Sequence, residues 1–267
     1  MEALHKMNVK MISTRTIGFD HIDRQSAEKL GIRISNATYP PNGVADYAIM
    51  LMMMACRNMK RIMERGNIQN FSLQGLMGKD FADMTIGIIG TGRIGETVIH
   101  HLSGFGNEIL AYSLDESEEV KKYAKYVTFN ELLSQSDIIT LHAPVDERNY
   151  HMIDSEAIAK MKDNVIIVNT ARGALIDTKA LLEGIENGKI GAAALDVIEN
   201  EVGLYYNDLK SKVLNNRDLA ILRSYPNVIV THHMAFYTEQ AIEGMVHSSL
   251  KSCLLEMDGK ENPWRII

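Results

Sequence analysis

The strongest restriction on the fold is a row of short apolar stretches between residues 84 and 231, separated by segments of helical period. Candidate strands fall at 84–89, 108–113, 126–128, 137–141, 164–169, 192–196 and 228–231. Several, such as Ile86-Gly-Ile-Ile89 and Val165-Ile-Ile-Val168, lack polar alternation, as strands covered on both faces do. Strands alternating with helices specify a parallel sheet between helical layers, so an α/β, doubly wound (Rossmann) domain of seven strands is expected. Ile94, Val98, Leu102 and Phe105 share one face of its first helix, which Gly104 and Gly106 end. Ser155 and Thr178 are expected to cap later helices, and Gly188 to stop one.

A different segment precedes this sheet. Residues 9–13 and 32–35 read as short strands around a helix at 22–30, and Pro40-Pro41 breaks the chain before a single long helix over 42–64. Within it, Ile49-Met-Leu-Met-Met-Met54 is more apolar than one buried face requires, which leaves core and subunit interface both open. A last helix over 238–257 returns to the first segment. The expected organisation is a smaller domain from residues 1–38 with 238–267, and a larger, sheet-bearing domain over 39–237.

Net charge is −6, without the basic excess that phosphate backbones attract, so nucleic acid is not expected as a partner. The greasiest run, 48–56, is far short of the roughly 20 residues that span a bilayer, and Met1-Glu-Ala-Leu-His-Lys lacks the apolar core of a secretory signal. With Cys56 and Cys253 read as separate reduced thiols, a cytoplasmic protein free of membrane is expected.

Gly90-Thr-Gly-Arg-Ile-Gly95 follows the first strand of the sheet and opens a helix. In that setting Gly90 permits a tight turn, Gly92 lets backbone approach a pyrophosphate, and Gly95 lets helix and strand pack closely. The first turn, with Arg93 and Ile94, then offers N–H groups to phosphate. The next strand ends in Ser113, and the first carboxylate, Asp115, lies two positions later. No arginine stands there to receive a 2′-phosphate, and Asp115, Glu116, Glu118 and Glu119 would repel one, which favours NAD over NADP.

Four motifs in order, Gly90-Thr-Gly-Arg-Ile-Gly95, Asn169-Thr-Ala-Arg-Gly-Ala-Leu-Ile-Asp177, Ala194-Leu-Asp-Val-Ile-Glu-Asn-Glu201 and Val230-Thr-His-His-Met-Ala-Phe-Tyr-Thr238, closely resemble those of the D-isomer-specific 2-hydroxyacid dehydrogenases. Ser13-Thr-Arg-Thr-Ile-Gly18, Tyr39-Pro-Pro-Asn-Gly-Val-Ala-Asp46 and Ala235-Phe-Tyr-Thr-Glu-Gln240 look most like the D-lactate dehydrogenases among them, the vancomycin-resistance type especially. The resemblance implies NAD-linked interconversion of a small 2-keto acid and its D-2-hydroxy acid, with pyruvate and D-lactate foremost. A flavodoxin-like substrate domain and a homodimer through the 42–64 helix are also implied.

By the same resemblance Arg172 grips the substrate carboxylate and polarises its carbonyl, as a guanidinium fork suits. His233 is the acid–base group. Glu201, rather than Glu199, pairs with the histidine and favours its protonated form. Ile17 and Gly18 offer backbone N–H groups to the substrate carboxylate, and Tyr39 and Phe236 lie near the substrate side chain. Ala143, Pro144, Asn149, Thr170 and Asp196 surround the cofactor, with Asp196 beside the nicotinamide amide.

Two features depart from the pattern. The proline usual before the catalytic histidine is His232, and adjacent histidines on a strand point to opposite faces, so no metal is expected at the pair. Members of the family also carry further substrate-domain elements before the point where this chain begins, about sixty residues at roughly 30 per βαβ unit. A truncated, inactive remnant is therefore one alternative, and a dehydrogenase-like NAD-sensing binding protein another. The intact Arg172, Glu201 and His233 weigh against the second.

Overall fold

The computed structural model describes residues 1–19 and 21–267. These form two units, Met1–Gly43 with Phe236–Ile267, and Val44–Ala235. The first unit opens with α1 (Glu2–Lys6), β1 (Met11–Ser13), α2 (Arg24–Lys29) and β2 (Arg33–Ser35). Its two strands run parallel, Met11 opposite Arg33. Asp23 starts α2 by accepting from the Ser26 N–H, and Ala27, Ile32 and Ile34 form a small buried cluster against Leu4 and Ile12.

From there the chain runs through α3 (Asn42–Cys56), α4 (Met59–Asn67), β3 (Ile86–Ile89), α5 (Arg93–Leu102), β4 (Ile109–Tyr112), β5 (Lys125–Tyr126), α6 (Phe129–Gln135), β6 (Ile138–Leu141), α7 (Ser155–Lys160), β7 (Val165–Asn169), α8 (Thr178–Glu186), β8 (Ile190–Leu195), α9 (Arg217–Ser224) and β9 (Val228–Val230). It returns to the first unit as α10 (Glu239–Met257). The seven strands of the second unit form one parallel sheet in the order β5-β4-β3-β6-β7-β8-β9. Strand order reverses at β3, with β4 on one side and β6 on the other, and at such a switch point a crevice opens at the carboxyl ends.

Two cores hold the sheet from opposite faces. Ile86, Ile88, Ala111, Ile138 and Val168 pack with Leu51 and Met52 of α3 and with Val98 and Leu102 of α5. Ile89, Ile139, Leu141, Ile167 and Leu195 pack with Leu132 and Leu133 of α6, Ile158 of α7 and Leu181 of α8. Each fully buried Ile or Leu contributes about 1.5–3 kcal/mol, so the apolar strand interiors dominate the folding energy of this unit. Among the described residues no helix is long and apolar enough to cross a membrane.

Three expectations need correction. The long helix over 42–64 is two helices, because Asn58 takes a left-handed backbone (φ 54°) and turns its side chain to the Met77 carbonyl, 3.0 Å away; asparagine accepts that conformation at small cost. Ile49, Leu51 and Met52 are buried, so half of the Met-rich run is core. The caps of α7 and α8 are Asp154 and Asp177, each one residue before the hydroxyl expected to serve. Asp154 accepts from the Ala157 N–H at 2.8 Å and Asp177 from those of Lys179 and Ala180, and a carboxylate also suits the positive end of a helix. The division between units follows Gly43 and Ala235, since residues 38–43 pack on the last helix: the Thr38 N–H donates to Ser248 Oγ at 3.3 Å, and Gly43 lies against Thr238.

Capping generates a direct comparison. Asp154→Ala is expected to lower stability by about 1 kcal/mol in urea unfolding, while Ser155→Ala stays within about 0.5 kcal/mol. Equal losses would return the cap to Ser155.

Candidate active site

Three backbone hydrogen bonds extend the sheet beyond its last regular residues. The Asp196 N–H donates to Asn169 O (2.9 Å), the Thr231 N–H to Leu195 O (2.9 Å), and the His233 N–H to Asp196 O (2.7 Å). The loops after β7, β8 and β9, which carry Arg172, Glu201 and His233, are thereby stitched side by side.

Asp196 is fully buried and organises the last of these loops. Its Oδ1 accepts from Thr231 Oγ1 (2.5 Å) and the Met234 N–H (2.8 Å), and its Oδ2 from the Ala235 N–H (2.9 Å). His233, bent into the left-handed region at φ 55°, sits inside that turn. Its Nδ1 lies 2.6 Å from Glu201 Oε1, and the other oxygen of Glu201 accepts from the Ile198 N–H at 3.1 Å.

Glu199 is engaged elsewhere. It contacts His151 Nε2 at 2.7 Å and accepts from the N–H and hydroxyl of Thr178. Burial pushes this carboxyl up, but the bonds from Thr178 and His151 outweigh it and hold it below the usual carboxylate range. Between the two glutamates Asn200 is left-handed (φ 56°), which sends neighbouring carboxylates to different histidines.

Arg172 stands on the loop after β7. Asn169 shapes that loop by donating to Arg172 O (2.8 Å) and accepting from the Ala171 N–H (3.0 Å), while Arg172 Nη1 donates to Ala171 O (2.8 Å). A Cβ on Gly173 would lie 2.1 Å from the Ile198 carbonyl carbon, so only glycine lets this loop press against the Glu199–Glu201 stretch. Glu201 and His233 are thus in direct contact, with the Arg172 loop beside theirs.

His232 and His233 lie beyond β9, not on it, so strand alternation does not separate them; the turn of His233 does. The His232 ring meets Tyr205 (centroids 5.9 Å) while His233 turns to Glu201. Among the described residues no three His, Cys, Asp or Glu are grouped to hold a metal ion.

The glycine turn after β3 fits a dinucleotide. Gly90 has φ 91°, and a Cβ there would lie 2.6 Å from the Ala143 nitrogen; one on Gly95 would lie 1.9 Å from Gly90 O. Gly92, which starts α5 ahead of Arg93 and Ile94, has open space where a side chain would be. Asn149 ties its own loop together through Pro144 O and the Asp146 N–H. Ser113 follows the end of β4, with Leu114 exposed beyond it. Thr170 Oγ1 and His142 Nδ1, on the adjacent ends of β7 and β6, are buried without a hydrogen-bond partner, as polar atoms awaiting a ligand are.

In the first unit, Ile17 O accepts from Asn36 Nδ2 (2.9 Å) and Gly18 O from Thr16 Oγ1 (2.6 Å), which orders the loop after β1. Tyr39 backs onto Gly244, and the Phe236 ring meets Tyr237 edge-on at 5.9 Å. Sequence reasoning missed His142, His151 and Tyr206. A polar residue directly after an apolar strand was the one available signal for His142; the other two depend on long-range contacts.

Comparison with known proteins agrees with this architecture. Residues 49–235 match the family model described as D-isomer specific 2-hydroxyacid dehydrogenase, NAD binding domain. The chain is 46% identical over 252 residues to a D-specific alpha-keto acid dehydrogenase of Enterococcus faecium, an alignment covering 94% of this chain and 77% of that protein. It is 44% identical to an aromatic 2-oxoacid reductase of Clostridium sporogenes, covering 93% and 77%. Among solved structures, a D-lactate dehydrogenase of Treponema pallidum superposes with a TM-score of 0.91 at 36% identity, covering 100% of this chain and 81% of that one.

The imidazole beneath the glycine turn gives a pH signature. His142 Nε2 is 3.0 Å from Thr140 Oγ1, and burial pushes the ring down to about 3. The unfolded chain, with an ordinary histidine near 6.5, then binds the proton more readily. The stability at stake is full above about pH 6.5 and is lost as pH falls toward 3. His142→Gln is expected to flatten that part of the profile when urea unfolding at pH 7 and pH 4.5 is compared. An unchanged slope would contradict it.

Proposed function

The chain belongs to the D-isomer specific 2-hydroxyacid dehydrogenases and is an NAD-dependent oxidoreductase, and from that premise we propose that it reduces small 2-keto acids to D-2-hydroxy acids, with pyruvate to D-lactate foremost. The 2.6 Å contact between His233 and Glu201, with the Arg172 loop alongside, carries this reading. Bound NADH supplies the hydride. His233 gives a proton to the carbonyl oxygen through the ring nitrogen that Glu201 does not hold, and recovers it in the reverse direction. Glu201 offsets the imidazolium charge. The guanidinium of Arg172 offers parallel N–H donors to the substrate carboxylate and draws electron density from the carbonyl.

By the family resemblance, Ile17 and Gly18 take the role of carboxylate donors in this reading, and Tyr39 and Phe236 that of neighbours of the substrate side chain. One methylene changes selectivity by only about 1–3 kcal/mol, so longer keto acids compete.

NADH oxidation with pyruvate, 2-ketoisocaproate and phenylpyruvate tests the proposal. The largest kcat/KM is expected for pyruvate; a tenfold preference for phenylpyruvate would overturn the choice of a small substrate. His233→Asn should lose at least about 100-fold in kcat. Glu201→Gln should move the high-pH limb of reduction to lower pH, because the imidazolium loses its neighbouring charge. A pH–rate profile identical to the parent's removes Glu201 from this role. Absence of turnover by the folded chain would favour the NAD-sensing or remnant reading instead.

We also infer a homodimer through the 42–64 region, α3 and α4, extended by the segment that follows α4. Ile68, Phe71, Leu73 and Met77 are 75%, 78%, 87% and 91% exposed, although Asn58 and Arg65 bind the carbonyls of Met77 and Gln74 and hold the segment in shape. Light scattering should give two chains for the parent and one for Leu73→Asp with Met77→Asp; equal masses would refute the interface.

A further inference from the structure

The loop that supplies Glu201 reaches His233 a second time. Tyr206 Oη donates to the His233 main-chain carbonyl at 2.8 Å, and its ring lies beside the imidazole, centroids 6.4 Å apart and inclined at 45°. We propose that Tyr206 is a positioning residue for His233, its hydroxyl holding the histidine backbone so that the imidazole stays on Glu201. The inference rests on the reading of His233 as the acid–base group.

The backbone of His233 explains why such a grip is needed. Residues other than glycine hold a left-handed conformation only where their surroundings enforce it, and His233 does so at φ 55°. Three of the contacts that impose it are the His233 N–H on Asp196 O, the ring on Glu201, and the carbonyl under Tyr206. The first fixes the nitrogen side of the residue and the second its side chain. The third acts on the carbonyl oxygen itself, while the Met234 N–H of the same peptide is held by Asp196 Oδ1 at 2.8 Å, and relaxation of that peptide would swing the ring away.

The segment between the two grips is itself braced. The Leu204 N–H donates to Glu201 O (3.0 Å), and Asn207 Nδ2 donates to Tyr205 O (3.0 Å) and Gly203 O (3.4 Å). Tyr206 is left-handed too (φ 65°), and this sorts two consecutive tyrosines. Tyr205 turns toward His232 with its hydroxyl buried, and burial pushes that phenol upward, whereas Tyr206 turns toward His233. Tyr206 is 69% exposed, so it adds little burial to the fold, and its contribution lies in the bond it makes.

Tyr206→Phe keeps the ring and deletes the hydroxyl. The expected result is a fall in kcat for keto-acid reduction of about tenfold, the equivalent of one hydrogen bond, with the KM for NADH within about twofold. The high-pH limb should move lower, as in Glu201→Gln, and the melting temperature should stay within about 3 °C. Combined with Glu201→Gln, the loss should be less than the product of the single losses, because both act through one imidazole. Parent-like kcat and pH limb in Tyr206→Phe would overturn the inference, as would loss of the fold or a multiplicative double variant. The two readings fail separately. If His233→Asn keeps its turnover, the acid–base assignment falls; if it is inactive and Tyr206→Phe behaves as the parent, only the positioning role falls.

Discussion

The active end of the second unit depends on the buried carboxylate of Asp196. Its backbone joins the ends of β7 and β9, and its side chain accepts three hydrogen bonds from the loop that carries His233. A buried carboxylate is costly unless its lone pairs are used, and here the bonds that use them also shape the turn. Removing it would orphan two backbone N–H groups, each at about 1–3 kcal/mol, in the segment whose geometry the chemistry needs. The resemblance puts Asp196 beside the nicotinamide; its internal bonding gives it a second reason to be an aspartate.

Around this anchor the backbone departs from regular structure in a concentrated way. His151, Asn200, Tyr206 and His233 all have positive φ, and all lie on loops that follow β6, β8 or β9. Each left-handed residue costs of order 1 kcal/mol, which the apolar sheet cores readily offset. What the strain provides is direction. Without the turn at Asn200 the chain would not send Glu199 to His151 and Glu201 to His233, and two histidine–carboxylate pairs could not come from three consecutive residues.

This pattern accounts for what the sequence discloses and what it conceals. All seven strands of the large sheet are legible because a strand buried on both faces must be apolar throughout, a signal contained in a few consecutive residues. The glycine turn is legible for a similar reason: Gly90 and Gly95 are demanded by contacts of 2.6 and 1.9 Å that no side chain tolerates. Choosing Glu201 over Glu199 needed the family pattern, since nothing local distinguishes them. The break at Asn58, the Asp154 and Asp177 caps, and the Tyr206 grip were not legible. The first two hinge on one residue's dihedrals, and the third joins positions 27 apart in the chain.

Two histidines beyond strand ends of one sheet show how far the fold sets the chemistry of one side chain. His142 lies under the glycine turn with a hydroxyl as its ring partner, and burial pushes its ring well below the usual imidazole range, toward the neutral form. His233 lies beyond β9, three strands along the sheet, with a carboxylate oxygen at 2.6 Å. A neutral imidazole next to the dinucleotide turn adds no fixed charge beside a pyrophosphate, whereas a protonated one beside a ketone is a ready acid. Exchanging those two environments would leave the composition untouched and remove the proposed proton donor, so the reactivity proposed for His233 belongs to the loops after β8 and β9 more than to histidine itself.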